Sequence, residues 1–146
     1  MTWSDILLGT IGAIVLIAAL LFSVALVWSA VLTNSEYKQE ERHWLELHGN
    51  ARRGEAEVLG LARPPGRLTK RGRHAADMAA AELRLAYRDD QGALQEATLK
   101  TFIDEELLYG FVRGSKVHIL YSNATPPVVA IDRDRTQVEI PSTTTA

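Results

Sequence analysis

The chain of 146 residues sets 16 Lys and Arg against 18 Asp and Glu, for a net charge of −2, and it has no cysteine. The near balance excludes the global positive field that marks a nucleic-acid binder. The missing thiols exclude disulfides, thiolate catalysis and cysteine metal sites. Outside one long apolar run, about 110 residues remain, enough for one small domain and linkers but not for two domains.

That run, Ile6 to Leu32, contains no charged residue. At about 1.5 Å per residue a helix over it is about 40 Å long, more than the roughly 30 Å of a bilayer's hydrocarbon core, so the stretch predicts a tilted transmembrane helix. Trp3 and Trp28 stand near its ends, where interfacial aromatics sit. A cleaved signal peptide would have a basic start and a shorter apolar segment, whereas residues 1–5 carry no Lys or Arg. Lys38, Arg42, Arg52 and Arg53 follow the run closely. The positive-inside rule therefore predicts an outside N-terminus and a cytoplasmic remainder. On a helical projection Gly9, Gly12, Ala13, Ala19, Ser23 and Ala30 share an arc of roughly 120°. Such a stripe is either a close-packing surface for another membrane helix or the small-residue content common in such helices.

Residues 33–50 predict a juxtamembrane helix, with Thr33, Asn34 or Ser35 as candidate caps and Gly49-Asn50 as its stop. Tyr37, Glu41, Trp44, Leu45 and His48 would share one face, suited to headgroups or to the following domain. His43 and His48, five apart, do not make the i, i+4 metal pair of a helix.

Over residues 51–134 the pattern shortens to alternating segments with turn punctuation, which predicts a small antiparallel barrel or sandwich of about five strands. A first strand is expected over Glu55–Leu61, ended by Arg63-Pro64-Pro65-Gly66. The clearest strand is Glu82–Arg88, where Leu83, Leu85 and Tyr87 alternate with charged residues. Asp89-Asp90-Gln91-Gly92 turns the chain into a third strand over Leu94–Phe102. Asp104-Glu105-Glu106 opens a helical turn ending at Gly110. Arg113 to Lys116 turn into a strand over Val117–Tyr121, and Pro126-Pro127 introduce a last one over Val128–Asp132. The tail, 135–146, shows no packing pattern and is expected to be disordered.

Gly54-Glu55-Ala56-Glu57-Val58, the Tyr87 strand with its Asp-Asp-Gln-Gly turn, Gly114-Ser115-Lys116-Val117-His118-Ile119-Leu120-Tyr121 and Pro126-Pro127-Val128-Val129-Ala130-Ile131-Asp132 make up a low-specificity pattern. Over roughly residues 54–132 it resembles a widespread bacterial family of uncharacterised membrane-anchored small β-domains. The resemblance implies the β-fold and a place in the bacterial inner membrane, and no activity.

The sequence holds no phosphate-cradling glycine loop, H-E-x-x-H, nucleophile elbow or cysteine pair. Consecutive Asp104, Glu105 and Glu106 point in different directions and suit a solvated helix start, and His118 lies on the polar face of its strand without a positioned partner. We therefore expect no catalytic residues, no metal and no cofactor. Arg63, Arg67, Lys70, Arg71 and Arg73, with His74, crowd the connection between the first two strands. They form either a lipid-headgroup or partner contact, at about 1 kcal/mol per basic residue near an anionic surface, or a solvated loop. No aromatic stands among them to stack on bases, so nucleic acid is not the expected partner. The sequence thus predicts a non-enzymatic, single-pass membrane protein whose β-domain binds a protein partner or a second copy. It would serve as an accessory subunit or as an immunity factor against a toxin acting at the membrane. The alternatives are a ligand or lipid sensor, or an enzyme without a legible motif.

Overall fold

A computed structural model describes residues 2–66, 68–71 and 77–141. The chain divides into two compact units, 1–35 and 36–146. A single α-helix, α1 (Trp3–Leu47), supplies residues 3–35 of the first unit and the opening of the second.

In the first unit, Asp5 ties down the start of α1. The Thr2 N–H and hydroxyl both donate to the Asp5 carboxylate, at 3.1 and 2.7 Å, which holds an acceptor at the positive end of the helix. The hydroxyls turn inward on their own helix: Ser23 donates to the Ala19 carbonyl and Thr33 to that of Ser29, each at 2.8 Å, and Thr10 to that of Ile6. Every large apolar side chain from Ile6 to Leu32 stays exposed, and the stretch is long and apolar enough to cross a membrane. The helix does not restart at Thr33, Asn34 or Ser35. Ser35 bonds back to the Leu32 carbonyl at 2.7 Å, so its side chain serves the running helix and caps nothing. The stop falls where expected, with Gly49 in the left-handed region at φ 104°.

The second unit follows the last three turns of α1 with β1 (Arg52–Ala62), β2 (Thr69–Arg71), β3 (Asp77–Arg88), β4 (Leu94–Asp104), a 3₁₀ segment (Glu105–Phe111), β5 (Lys116–Tyr121) and β6 (Val129–Ile131). All pairings are antiparallel. β4 pairs with β3 along its full length, from Met78↔Asp104 to Arg88↔Leu94. β1 and then β2 share the opposite edge of β3, and the sheet continues through β5 to β6. It curls into a half-barrel with β4 and β6 as its outer strands. A bulge in β1 between Val58 and Gly60 breaks the register and aids the curl.

The concave face holds the core: Val58, Ala81, Leu83, Leu85, Ile103, Phe111, Val117, Ile119 and Ile131. Leu83, Leu85 and Tyr87 point inward as the alternation requires. β3 starts five residues earlier than its polar alternation indicates, because Met78 to Ala81 are buried on both faces. Ala81 belongs to the core and Ala79 is fully buried, while Met78 and Ala80 pack with Tyr37, Phe102 and Leu68 in a second cluster. A strand covered on both sides loses the period-2 signature. The connection expected as a loop likewise contains β2, whose Thr69 pairs with Ala79.

The C-terminal stretch is packed beyond residue 134. Val138 is buried and its carbonyl accepts the Asp104 N–H at 2.8 Å, and the Thr136 hydroxyl accepts the His118 N–H at 2.8 Å. These residues occupy edge positions of the sheet and need no hydrophobic periodicity of their own. The remainder of the expected tail, 142–146, lies outside the described residues.

Candidate functional site

The most unusual side chain in the β-unit is Glu40, a carboxylate on α1 only 3% exposed. It lies three residues after Tyr37 and four before Trp44, so the helix turns it to the same side as two aromatics. Tyr37 stacks on Phe102 of β4 at 5.6 Å, and Trp44 lies against Arg133, just after β6, at 5.9 Å. Glu40 sits between these anchors and reaches both outer strands. Its Oε1 accepts the Ile131 N–H at 2.8 Å, while Oε2 accepts the Thr101 hydroxyl at 2.9 Å and the Arg133 guanidinium at 2.6 Å.

The Ile131 N–H needs such a partner. Ser122 and Asp132 donate across the β5–β6 pair, to Val128 and His118, so the alternate group at Ile131 points away from β5 towards the seam. One carboxylate thus replaces a missing strand at this level. Around it, Lys100 holds Glu36 at 2.7 Å, Lys70 lies 3.6 Å from Glu41, and His48 bonds Asp134 at 2.8 Å. The Glu36 hydrogen bond and charge raise the Lys100 ammonium above its ordinary range. Lateral to Glu40, a groove of about 420 Å³ separates Glu36, Gln39 and His43 from Thr98 and Lys100.

A second concavity, about 280 Å³, opens at the hairpin end of the half-barrel. It is lined by Tyr87 and Tyr121, whose rings lie 5.3 Å apart, and by the Asp89-Asp90-Gln91 turn and Asn123. Asp90 accepts the Tyr121 hydroxyl at 2.6 Å and the Asn123 amide at 3.2 Å, and also contacts Arg52. Burial raises the Tyr87 hydroxyl above its usual range.

Of the residues singled out in the sequence, Gly9, Gly12, Ala13, Ala19 and Ser23 all lie in the exposed apolar part of α1, and nothing stands within 4 Å of a Cβ built on Gly9 or Gly12. Arg63 binds Glu105 at 3.1 Å, Lys70 lies near Glu41 and the Phe102 ring, and Arg71 is exposed at the end of β2. Arg67, Arg73 and His74 lie outside the described residues. Asp104 caps the 3₁₀ segment by accepting the Glu106 N–H at 3.0 Å, as its acidic start foretells. His118 is half-buried on β5, opposite Glu55. Leu45, grouped with the packed face by periodicity, is 63% exposed. Among the described residues, no group of three or more His, Asp or Glu side chains is arranged to hold a metal.

Sequence reasoning missed Glu40. The available signal was a charged residue at helical spacing between Tyr37 and Trp44, on the stripe that otherwise packs. No family model, curated protein or solved structure matches the chain.

Proposed function

We propose that the protein is a single-pass membrane protein whose half-barrel serves as a non-catalytic docking module, an accessory subunit in a membrane assembly. The observation that carries this reading is the exposed apolar surface of α1, with Leu8 at 74%, Leu20 at 60% and Phe22 at 67% exposure. Roughly 25 cal/mol is lost per Å² of apolar surface left in water, so this stretch requires lipid or another helix around it. The basic residues that follow it favour an outside N-terminus and a cytoplasmic β-unit, in a bacterial inner membrane by the family resemblance.

The test is alkaline extraction of native membranes followed by purification in mild detergent. The reading expects the chain to stay in the membrane pellet and to purify with a second chain, or a second copy of itself, at fixed stoichiometry. Release by alkali, or a monomer with no companion, overturns it. A second reading, a small-ligand sensor, is favoured by the polar cleft beside Tyr87 and Tyr121. It requires a saturable ligand whose binding Asn123→Ala weakens.

A further inference from the structure

The half-barrel leaves one edge of β4 unpaired, and its charges are laid out for a second copy of the same strand. Asp89 donates to the Ala93 carbonyl at 3.0 Å to close the β3–β4 hairpin, which fixes the alternation of the ladder. With Tyr87 opposite Gln95 and Leu85 opposite Ala97, the odd-numbered residues of β4 exchange hydrogen bonds with β3. Glu96, Thr98 and Lys100 therefore direct their N–H and C=O groups outward. Asp104 confirms the phase, since its N–H turns away from β3 to the Val138 carbonyl. Among the described residues, no backbone partner meets the outward groups of Glu96, Thr98 or Lys100. An unpaired edge of this kind is a template for strand addition.

We infer that two copies pair antiparallel through this edge, about a two-fold axis at Thr98. In that register Thr98 faces Thr98, Ala97 faces Leu99, and Glu96 of each copy faces Lys100 of the other. Opposite charges directly across a strand pair stabilise it, and like charges oppose it. A two-fold axis at Glu96 would instead set Glu96 against Glu96, and one at Lys100 would set Lys100 against Lys100. Glu96 is well exposed, its nearest cation being Arg84 at 3.8 Å, and Thr98 is exposed, so both are available at the edge. Lys100 already lies against Glu36, and in the dimer its ammonium would bridge two carboxylates. The contact is short. Confinement of both copies to one membrane supplies the effective concentration that a short interface lacks. This inference rests on the docking-module reading and names the second copy as its partner.

The chain has no cysteine, so one introduced thiol reports one position. Full-length Thr98→Cys in native membranes, oxidised with copper phenanthroline, is compared with Arg84→Cys on the neighbouring strand. Directly opposed residues in a hydrogen-bonded pair lie about 5.5 Å apart at Cα, inside the roughly 4.4–6.8 Å that a disulfide spans, so Thr98→Cys should cross-link about tenfold more than the control. Adding Glu96→Lys to Thr98→Cys should reduce the cross-linked fraction, and adding Lys100→Glu as well should restore it. Equal cross-linking at both positions, or a Thr98→Cys signal indifferent to charge reversal, overturns the inference. In either case co-purification with a different chain at fixed stoichiometry would leave the docking-module reading standing, and a companionless monomer would remove both.

Discussion

One helix, α1, solves two opposite problems along its length. From Ile6 to Leu32 it carries no charge, its large apolar side chains are all exposed, and the Thr10 and Ser23 hydroxyls donate to its own carbonyls. From Glu36 to Leu47 it carries charges on most sides, yet it buries Tyr37 at 4% exposure and Glu40 at 3%. The first stretch needs a solvent that forms no hydrogen bonds. The second offers hydrogen-bonding groups that a sheet edge lacks. Helix propensity is shared by both, so what separates them is the chemistry of the surface each must meet.

The largest expected effect tests the second half of that comparison. Glu40→Ala removes three hydrogen bonds at once and leaves the Arg133 guanidinium, the Ile131 N–H and the Thr101 hydroxyl facing a gap. Breaking one partner of a buried ion pair is strongly destabilising, so the β-unit should lose about 3–5 kcal/mol in urea unfolding of the detergent-solubilised chain. Glu40→Gln keeps an acceptor and should lose less. Amide exchange at Ile131 gives the local readout, since its N–H should lose its protection in Glu40→Ala and keep more of it in Glu40→Gln. A loss below about 1 kcal/mol for Glu40→Ala would mean that water already serves the seam, and that α1 closes nothing.

Two glycines sharpen the contrast at smaller magnitude. A Cβ on Gly54 would stand 3.0 Å from Cε1 of Tyr121, whose hydroxyl is fixed to Asp90 at 2.6 Å. The ring cannot withdraw without loosening that bond, so Gly54→Ala should destabilise the β-unit by about 1–3 kcal/mol, the usual range for overpacking. A Cβ on Gly12 meets nothing within 4 Å. Gly12→Leu should therefore leave urea unfolding of the β-unit within about 0.5 kcal/mol of the parent. Only its association in the membrane should change, read as the co-purified fraction.

What the sequence disclosed follows the same division. The apolar run was legible because it contains no exception, and Leu83, Leu85 and Tyr87 because one face of their strand meets water. Turn glycines were legible too, with Gly92 at φ 76° and Gly114 at φ 89°. Ala79 to Ala81 gave no strand signal because both of their faces are covered. Glu40 gave only a weak site signal, its spacing from Tyr37 and Trp44, because a Glu among Gln39, Glu41 and Arg42 reads as a solvated helix face. Its role depends on Thr101 and Ile131, which lie 61 and 91 residues away in sequence, and no local pattern encodes a seam between strands so distant. Thr136 and Val138 were missed for the same reason, since they are recruited by His118 and Asp104. In the candidate site the aromatic anchors were therefore readable, whereas the carboxylate between them was not.

The smallest effect concerns an end of the half-barrel that α1 does not reach. Burial of Asp89 acts to raise its carboxyl, but hydrogen bonds from the Ala93 and Gln91 amides, each at 2.9 Å, and from the Gln95 side chain at 3.2 Å outweigh it and hold the group below its ordinary value of 3.8. A folded-state value depressed in this way contributes stability above the unfolded value and loses it as pH falls through the folded one. The amide proton shifts of Gln91 and Ala93 should therefore titrate together, with a midpoint below 3.8. Asp89→Asn should abolish that titration, because the amide that replaces the carboxylate does not ionise. Because Asp89 lies on the turn and accepts the Gln91 and Ala93 amides, both amides should lose their exchange protection as pH falls through the same midpoint in the parent, whereas in Asp89→Asn that protection should not change with pH over the interval. Unchanged protection in the parent would show that the carboxylate does not hold the turn.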